Sequence, residues 1–315
     1  MRPNFSVFVV LVFIPAYVLG AFLFEVLTPS SGEVEDDRVF TISFVGDMMF
    51  DRYIRARAQV HGYPAIFEGT RSMFDESVVI VGNLEGPIST LSPVADWPET
   101  GPNHYQFTFA TTVARTLFDA GFRAVSLANN HIYDFGTEGY TQTVRWLGEA
   151  GVGYFGSPHD PYTPWRYEVG GVPVALYAYD SWHVRDIETI TQRVSAEPEE
   201  VFVVVYAHWG DEYESHPNSG QRNAARRFID AGADLVVGSH PHVIQTKEFY
   251  KDKWIYYSLG NFVFDQYFSE AVQCGAVLHV MLSPNLTYTT REEFIFLERD
   301  GTTKQSDCRD VVPLE

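Results

Sequence analysis

The chain has 315 residues and carries 22 Lys+Arg against 41 Asp+Glu, a formal net charge of −19. At 45% hydrophobic and 20% charged it is no disordered chain, and its length allows one large α/β domain or two smaller ones. The acidic balance argues against a nucleic-acid binder, which needs a basic face to neutralise phosphates.

From Val7 to Phe24 the chain runs 18 residues without a charge. As a helix this run is about 27 Å long, close to the hydrocarbon thickness of a bilayer. Arg2 precedes it, and Glu33, Glu35, Asp36 and Asp37 follow. The positive-inside tendency then puts residue 1 in the cytoplasm and the body of the chain outside, a single-pass, extracytoplasmic arrangement at the cell membrane. A cleaved signal peptide is the competing reading, but the flank Phe24-Glu25-Val26-Leu27 lacks an A-x-A cleavage pattern. An uncleaved signal anchor over residues 1–27, with a linker over 28–37, fits better.

Beyond the linker, apolar runs of strand length alternate with helical patterns. Strands are expected at Val39–Val45, Val78–Val81, Ala124–Leu127, Val174–Tyr179, Val201–Tyr206 and Leu235–Val237. Helices are expected at Thr112–Ala120, Glu138–Glu149 and Gln221–Ala231, stopped by Gly121, Gly151 and Gly232. Continuous apolar strands between helices imply a sheet buried on both faces. Later segments, Val243–Tyr250 with Trp254–Leu259 and Arg291–Glu298, read as antiparallel hairpins. The result is one α/β domain over 38–299, followed from Asp300 by a polar, loosely held tail over 300–315. Cys274 and Cys308 are too few for a disulfide framework; one bridge outside the cell and two buried thiols both fit.

The chemistry follows the strands. The first ends in Gly46-Asp47, the second in Gly82-Asn83-Leu84-Glu85-Gly86-Pro87, and the third in Asn129-Asn130-His131 with Asp134 three residues on. The Val201 strand ends in Ala207-His208-Trp209-Gly210, and the Leu235 strand in Gly238-Ser239-His240-Pro241-His242. Each alone has an ordinary explanation: a hydrogen-bonded histidine, a helix-capping aspartate, an asparagine turn. Side chains beyond the carboxyl ends of strands in an α/β sheet share one crevice, however. Five such ends delivering Asp, Glu, Asn and His point to oxygen and nitrogen ligands for Mn²⁺, Zn²⁺ or Fe.

Together with His208-Trp209-Gly210-x-Glu212-Tyr213 and Tyr257-Ser258-Leu259-Gly260-Asn261-Phe262, these motifs resemble the capsule synthesis protein CapA family. That family is a branch of the calcineurin-like metallophosphoesterase superfamily and is linked to poly-γ-glutamate capsule production; the match spans about residues 40–282. The resemblance implies a metallophosphoesterase-like layered α/β sandwich with mixed sheets, preceded here by the N-terminal transmembrane helix. It implies one or two divalent metal ions, with Asp47 a first-strand ligand and Glu85 a bridging carboxylate. Asn130, His208 and His240 match ligands of a second metal, and His242 returns to the first. His131 resembles the catalytic, non-ligand histidine that protonates a leaving oxygen, and Asp134 and Glu212 are the candidates for orienting the ligating imidazoles. The sequence departs from the superfamily's Asp-x-His motif, because Met48 and Met49 follow Asp47.

The implied protein is a membrane-anchored extracytoplasmic metallohydrolase acting in synthesis or export of poly-γ-glutamate or a related surface polymer. Its partners are then an anionic polymer or phosphoester substrate, the membrane, and other capsule-synthesis proteins. The alternative is a non-catalytic assembly component that binds polymer through a degraded metal site. A cytoplasmic nucleotide phosphatase is disfavoured by the anchor. His61, His104, His159, His183, His216 and His279 lie outside the motifs and are not expected to touch metal, while Arg52 and Arg55 read as solvated helix positions.

Overall fold

Along β1 (Phe40–Met48), Ile42 and Phe44 enter one apolar cluster and Val45 enters another. β2 (Ser77–Leu84) repeats the alternation, with Val79 and Val81 in the first cluster and Ile80 in the second. Side chains two apart share a face of a strand, so both faces of this sheet are apolar and both must be covered. The protein is described here from a computed structural model over residues 38–91, 105–308 and 310–311. The anchor and linker expected over 1–37, and His104, lie outside the described residues. Among the described residues no helix is long and apolar enough to cross a membrane.

β1, β2, β3 (Phe122–Ser126) and β4 (Gly153–Phe155) run parallel, in that order. On the other side of β1 the sheet continues antiparallel through β12 (Cys274–Leu282), β13 (Tyr288–Leu297) and β14 (Thr303–Ser306). The short β11 (Asn261–Val263) pairs with the end of β1. The second sheet has a parallel centre of β6 (Val172–Asp180), β7 (Phe202–His208), β8 (Leu235–Ser239) and β10 (Lys253–Tyr256). β5 (Trp165–Val169) and β9 (Lys247–Tyr250) close its edges antiparallel.

Phe44, Val81, Val204 and Val236 belong to one cluster, so the sheets pack face to face. The Tyr206 hydroxyl donates across to the Val45 carbonyl at 2.7 Å. Helices α1 (Arg52–His61), α2 (Thr112–Asp119) and α3 (Gly136–Ala150) cover the first sheet through Ile54, Val113, Leu117 and Leu147. α4 (Ile187–Val194) and α5 (Ser219–Asp230) cover the second through Ile190, Ala225 and Phe228. The expected mixed-sheet α/β sandwich is present, as helix, sheet, sheet, helix. Gly151 ends α3 at φ 81°, in the left-handed conformation that glycine adopts without penalty.

One region differs from the sequence reading. Residues 301–308 are no loose tail: Thr303–Ser306 pair with Phe294–Leu297, and the buried Thr303 hydroxyl donates to the Phe262 carbonyl at 2.7 Å. Lys304 and Gln305 are exposed, so this edge strand lacks the apolar alternation that would have marked it. Cys308, just beyond, forms a disulfide with Cys274, which decides between the two cysteine readings.

His279 lies in β12 opposite Ser43, fully buried, with Nδ1 2.8 Å from the Ser43 hydroxyl. Burial, with the Arg291 charge second, pulls its imidazole from 6.5 down to about 4. The fold therefore keeps neutral a group that the unfolded chain protonates, and stability is lost as pH falls from 6.5 toward 4. Between pH 7 and pH 5 the loss due to this residue is about 2 kcal/mol. Urea denaturation of the parent and of His279→Gln at both pH values checks it, the variant being less acid-sensitive by that amount.

Candidate metal centre

The strand ends of both sheets meet at one edge of the sandwich. The close approach of β1 to the segment before β11 needs Gly46, since a Cβ there would lie 1.8 Å from the Gly260 carbonyl oxygen. That approach seats Asp47 in the centre, its backbone N–H donating to Gly260 at 3.0 Å. Asp47 is fully buried: Oδ1 accepts from the Asn83 amide at 2.8 Å and Oδ2 from the His240 backbone N–H at 2.9 Å. Nδ1 of His242 is 3.3 Å from Oδ2, and Nδ1 of His208 is 3.6 Å from Oδ1.

Glu85, also fully buried, has Oε1 3.7 Å from His242 Nε2 and Oε2 3.4 Å from the Asn83 amide nitrogen. Two trios of ligand atoms result, each within 4.8 Å: Asp47, Glu85 and His208, and Glu85, His240 and His242. Glu85 is common to both. The trios join His208 to Asp47 and His240 to His242, whereas the resemblance had paired His208 with His240. The imidazoles nonetheless form one continuous cluster, with His208 and His240 ring centroids 4.7 Å apart. Asn130 Oδ1 reaches His208 Nε2 at 2.8 Å.

The donor set suits a divalent cation. Two buried atoms in it have no hydrogen-bond partner, Glu85 Oε1 and His240 Nδ1. Burial, reinforced by the Asp47 charge, raises the Glu85 carboxyl well above the usual range, so a cation would complete what the protein leaves unbalanced. Burial and the neighbouring His208 and His242 pull His240 down to about 2, leaving a neutral imidazole with an available lone pair. Burial also lowers His208. Asp47 goes the other way: burial opposes its charge, but His208 and His242 outweigh that and hold it well below the ordinary carboxylate value.

The backbone is turned to serve this cluster. Among the described residues seven non-glycines have positive φ, and Arg52, Tyr213, His240 and His242 of that set surround the site. Such conformations cost on the order of 1–3 kcal/mol each and gather where function fixes the geometry. α5 anchors the loop before it through a capping box between Asn218 and Gln221. The Gln221 side chain also binds Gln245, whose amide donates to the Glu214 carbonyl.

His131 sits beside the trios, its ring 4.4 Å from Phe107 and its Nδ1 2.9 Å from Asp134 Oδ2. Asp134 thus orients His131 and not a member of the trios. Glu212 is exposed, and the orienting role expected of it falls to other residues. Ser239 Oγ lies 3.0 Å from His208 Nδ1, and Asn261 Oδ1 lies 2.9 Å from His242 Nδ1. Arg52 and Arg55 are not solvated either: Arg52 is buried and ion-paired with Asp265, and Arg55 binds Asp51 at 2.7 Å. Met49 is fully buried in the helix-side core, its sulfur accepting from the Asp51 N–H at 3.0 Å.

The sequence reading gave no role to Asn83 or Asn261. A signal existed for both: β-pairing places Asp47 opposite both Asn83 and Asn261, and each sits in a quoted motif. Trp182 is 38% exposed with its ring 4.8 Å from His240 and 5.6 Å from His208, the turn behind it fixed by backbone donors to the buried Asp180.

A family model described as bacterial capsule synthesis protein PGA_cap matches residues 41–266, from β1 through the last motif. The chain belongs to that family. It is 34% identical over 260 residues to the PGA biosynthesis protein CapA of Bacillus subtilis (strain 168), covering 76% of this chain and 67% of that one. It is 32% identical over 253 residues to the capsule biosynthesis protein CapA of Bacillus anthracis, covering 73% of this chain and 61% of that one. The matched stretch thus spans about two-thirds of these CapA relatives. In fold it is similar to a structure described as a novel phosphatase of Mycoplasma pneumoniae, with TM-score 0.54 and 10% identity over 86% of this chain and 96% of that one.

Proposed function

We propose that this PGA_cap protein is a membrane-anchored, extracytoplasmic metallohydrolase acting on an anionic polymer or phosphoester in synthesis or export of poly-γ-glutamate or a related surface polymer. The observation that carries the reading is the pair of trios sharing Glu85, with unpartnered Glu85 Oε1 and His240 Nδ1 inside them. Asp47, Glu85, His208, His240 and His242 would hold one or two divalent ions, with Asn130 Oδ1 at hand beside His208. When bound, such an ion supplies Lewis acidity and a nucleophile at neutral pH. The names of the CapA relatives support the polymer context, and the Cys274–Cys308 disulfide supports an oxidising compartment.

The protein's own part is positioning and proton handling. Asp134 takes Nδ1 of His131 and also accepts from the Phe107 N–H at 2.7 Å, so one carboxylate holds both members of the ring pair. His131 is left with Nε2 as the nitrogen that holds or gives a proton to a leaving oxygen. Arg52 is committed to Asp265, so it does not supply the charge for an anionic substrate. Trp182 and the exposed Tyr213 flank the imidazoles and shield substrate from water on two sides.

A second reading, a non-catalytic polymer-binding component, is favoured by Met49, whose side chain is committed to the core where the superfamily has a histidine. Elemental analysis of the full chain, with assays on a phosphodiester and a γ-glutamyl amide, separates the two. The first reading expects bound divalent metal, lost in His208→Ala and His240→Ala, and hydrolysis lost in His131→Ala with metal retained. Metal without turnover would favour the second reading, and metal content unaffected by both histidine variants would remove both. Protease accessibility of the domain in intact spheroplasts tests the outward orientation.

A further inference from the structure

The Asn83 amide has only one possible orientation. The His131 backbone N–H can only donate, so the Asn129 atom 3.0 Å from it is Oδ1. The Asn129 amide nitrogen then faces the Leu84 carbonyl at 2.9 Å, and that carbonyl, which can only accept, independently requires the same sense. The same nitrogen lies 3.0 Å from Asn83, whose facing atom must be Oδ1. The Asn83 NH2 is thereby turned to Asp47 Oδ1 at 2.8 Å, His208 Nδ1 at 3.1 Å and Glu85 Oε2 at 3.4 Å. Both asparagines are fully buried.

We infer that Asn83 is a positioning residue of the metal centre, acting as a donor and not as a ligand, with its sense set by Asn129 from the backbone of the His131 loop. A ligand must turn a lone pair to the ion, and the Asn83 oxygen is turned to Asn129 while its NH2 faces the carboxylates. Its NH2 meets both carboxylates and fixes their spacing without adding charge, so the negative charge of Asp47 and Glu85 stays available to a cation. The same two amides tie the position of His131 to that of the cluster. The inference rests on reading the trios as a metal centre; the orientation of the amides does not.

Cobalt(II) titration of the full chain, followed by its visible absorption, tests the role. Asn83→Ala should weaken cobalt binding about 10–100-fold, as loss of an outer-shell partner does, and leave the absorption band where it was. Asn129→Leu should weaken binding in the same direction, and the double variant should bind no more weakly than Asn83→Ala alone, because Asn129 acts through Asn83. A shifted band in Asn83→Ala, or losses that add in the double variant, would overturn the inference. The same three variants melted in chelator give a metal-free cycle, where non-additive losses are expected and additive ones count against the amide pair. If the parent chain binds no cobalt, the function proposed above fails, and the chelator cycle still decides the coupling of the two asparagines.

Discussion

Glu85→Gln is expected to raise the melting temperature of the chelator-treated chain while lowering its affinity for a divalent cation at least a thousandfold, about 4 kcal/mol. Both effects come from one buried carboxylate. Without a cation, Oε1 has no partner, and an unmet buried acceptor costs about 1–3 kcal/mol. Glutamine removes that cost: its oxygen can accept from the Asn83 amide, and its NH2 can occupy the place of Oε1, facing the lone pair of His242 Nε2. A gain of that size is worth about 2–12 °C.

The pH dependence carries the same sign. Folding raises the Glu85 carboxyl from its ordinary 4.5, so the metal-free fold binds a proton that the unfolded chain releases. Metal-free stability is therefore greatest below that value and declines as pH rises toward the folded pKa, and Gln abolishes the decline. Binding fails for the opposite reason, since both trios lose their shared anion. Calorimetric melts in chelator across pH, paired with cobalt titration, measure both. A variant that melts lower than the parent without metal would show that Glu85 serves packing and not a cation.

The sequence was most informative where the fold is driven by burial. All six strands expected from apolar runs are strands, because each is covered on both faces and carries few polar interruptions. β5 escaped notice because Arg166, Tyr167 and Glu168 are exposed on an edge. α1 was legible only as the helix positions of Arg52 and Arg55, without bounds, because its apolar face is small and its start depends on Asp51, which also holds the distant Thr108 N–H. The site followed the same division. Asp47, Glu85, Asn130, His131, His208, His240 and His242 could be gathered from the strand ends, since topology alone delivers them to one edge. Which imidazole meets which carboxylate could not, because φ of 95° at His240 and 57° at His242 redirects their side chains. Asn261 stood in a quoted motif, but its orienting role was hidden for a related reason: it reaches His242 only through the pairing of β11 with β1.

Replacing both cysteines with alanine is expected to cost about 4 kcal/mol and to lower the melting temperature by about 8–15 °C. The bridge spans 34 residues between the start of β12 and the chain beyond β14, so breaking it releases a long loop in the unfolded ensemble. The other ties of β14 are four residues paired with β13, the Thr303 hydroxyl on the Phe262 carbonyl, contact of Lys304 and Gln305 with Gly69, and the side chains of Lys304 and Gln305 on Glu298 and Glu293. Its amides should therefore be the first to lose hydrogen-exchange protection. The metal centre should be affected much less, although Cys274 leads directly into Gly275, which packs against the Asn261 carbonyl. Asn261 is held independently of either cysteine, its amide donating to Val272 at 3.0 Å and Gln266 at 3.1 Å. Cobalt affinity should accordingly change less than tenfold in the double variant while its melting temperature falls. A comparable fall in both would place the disulfide in support of His242, and an unchanged melting temperature would mean that the sheet holds β14 without it.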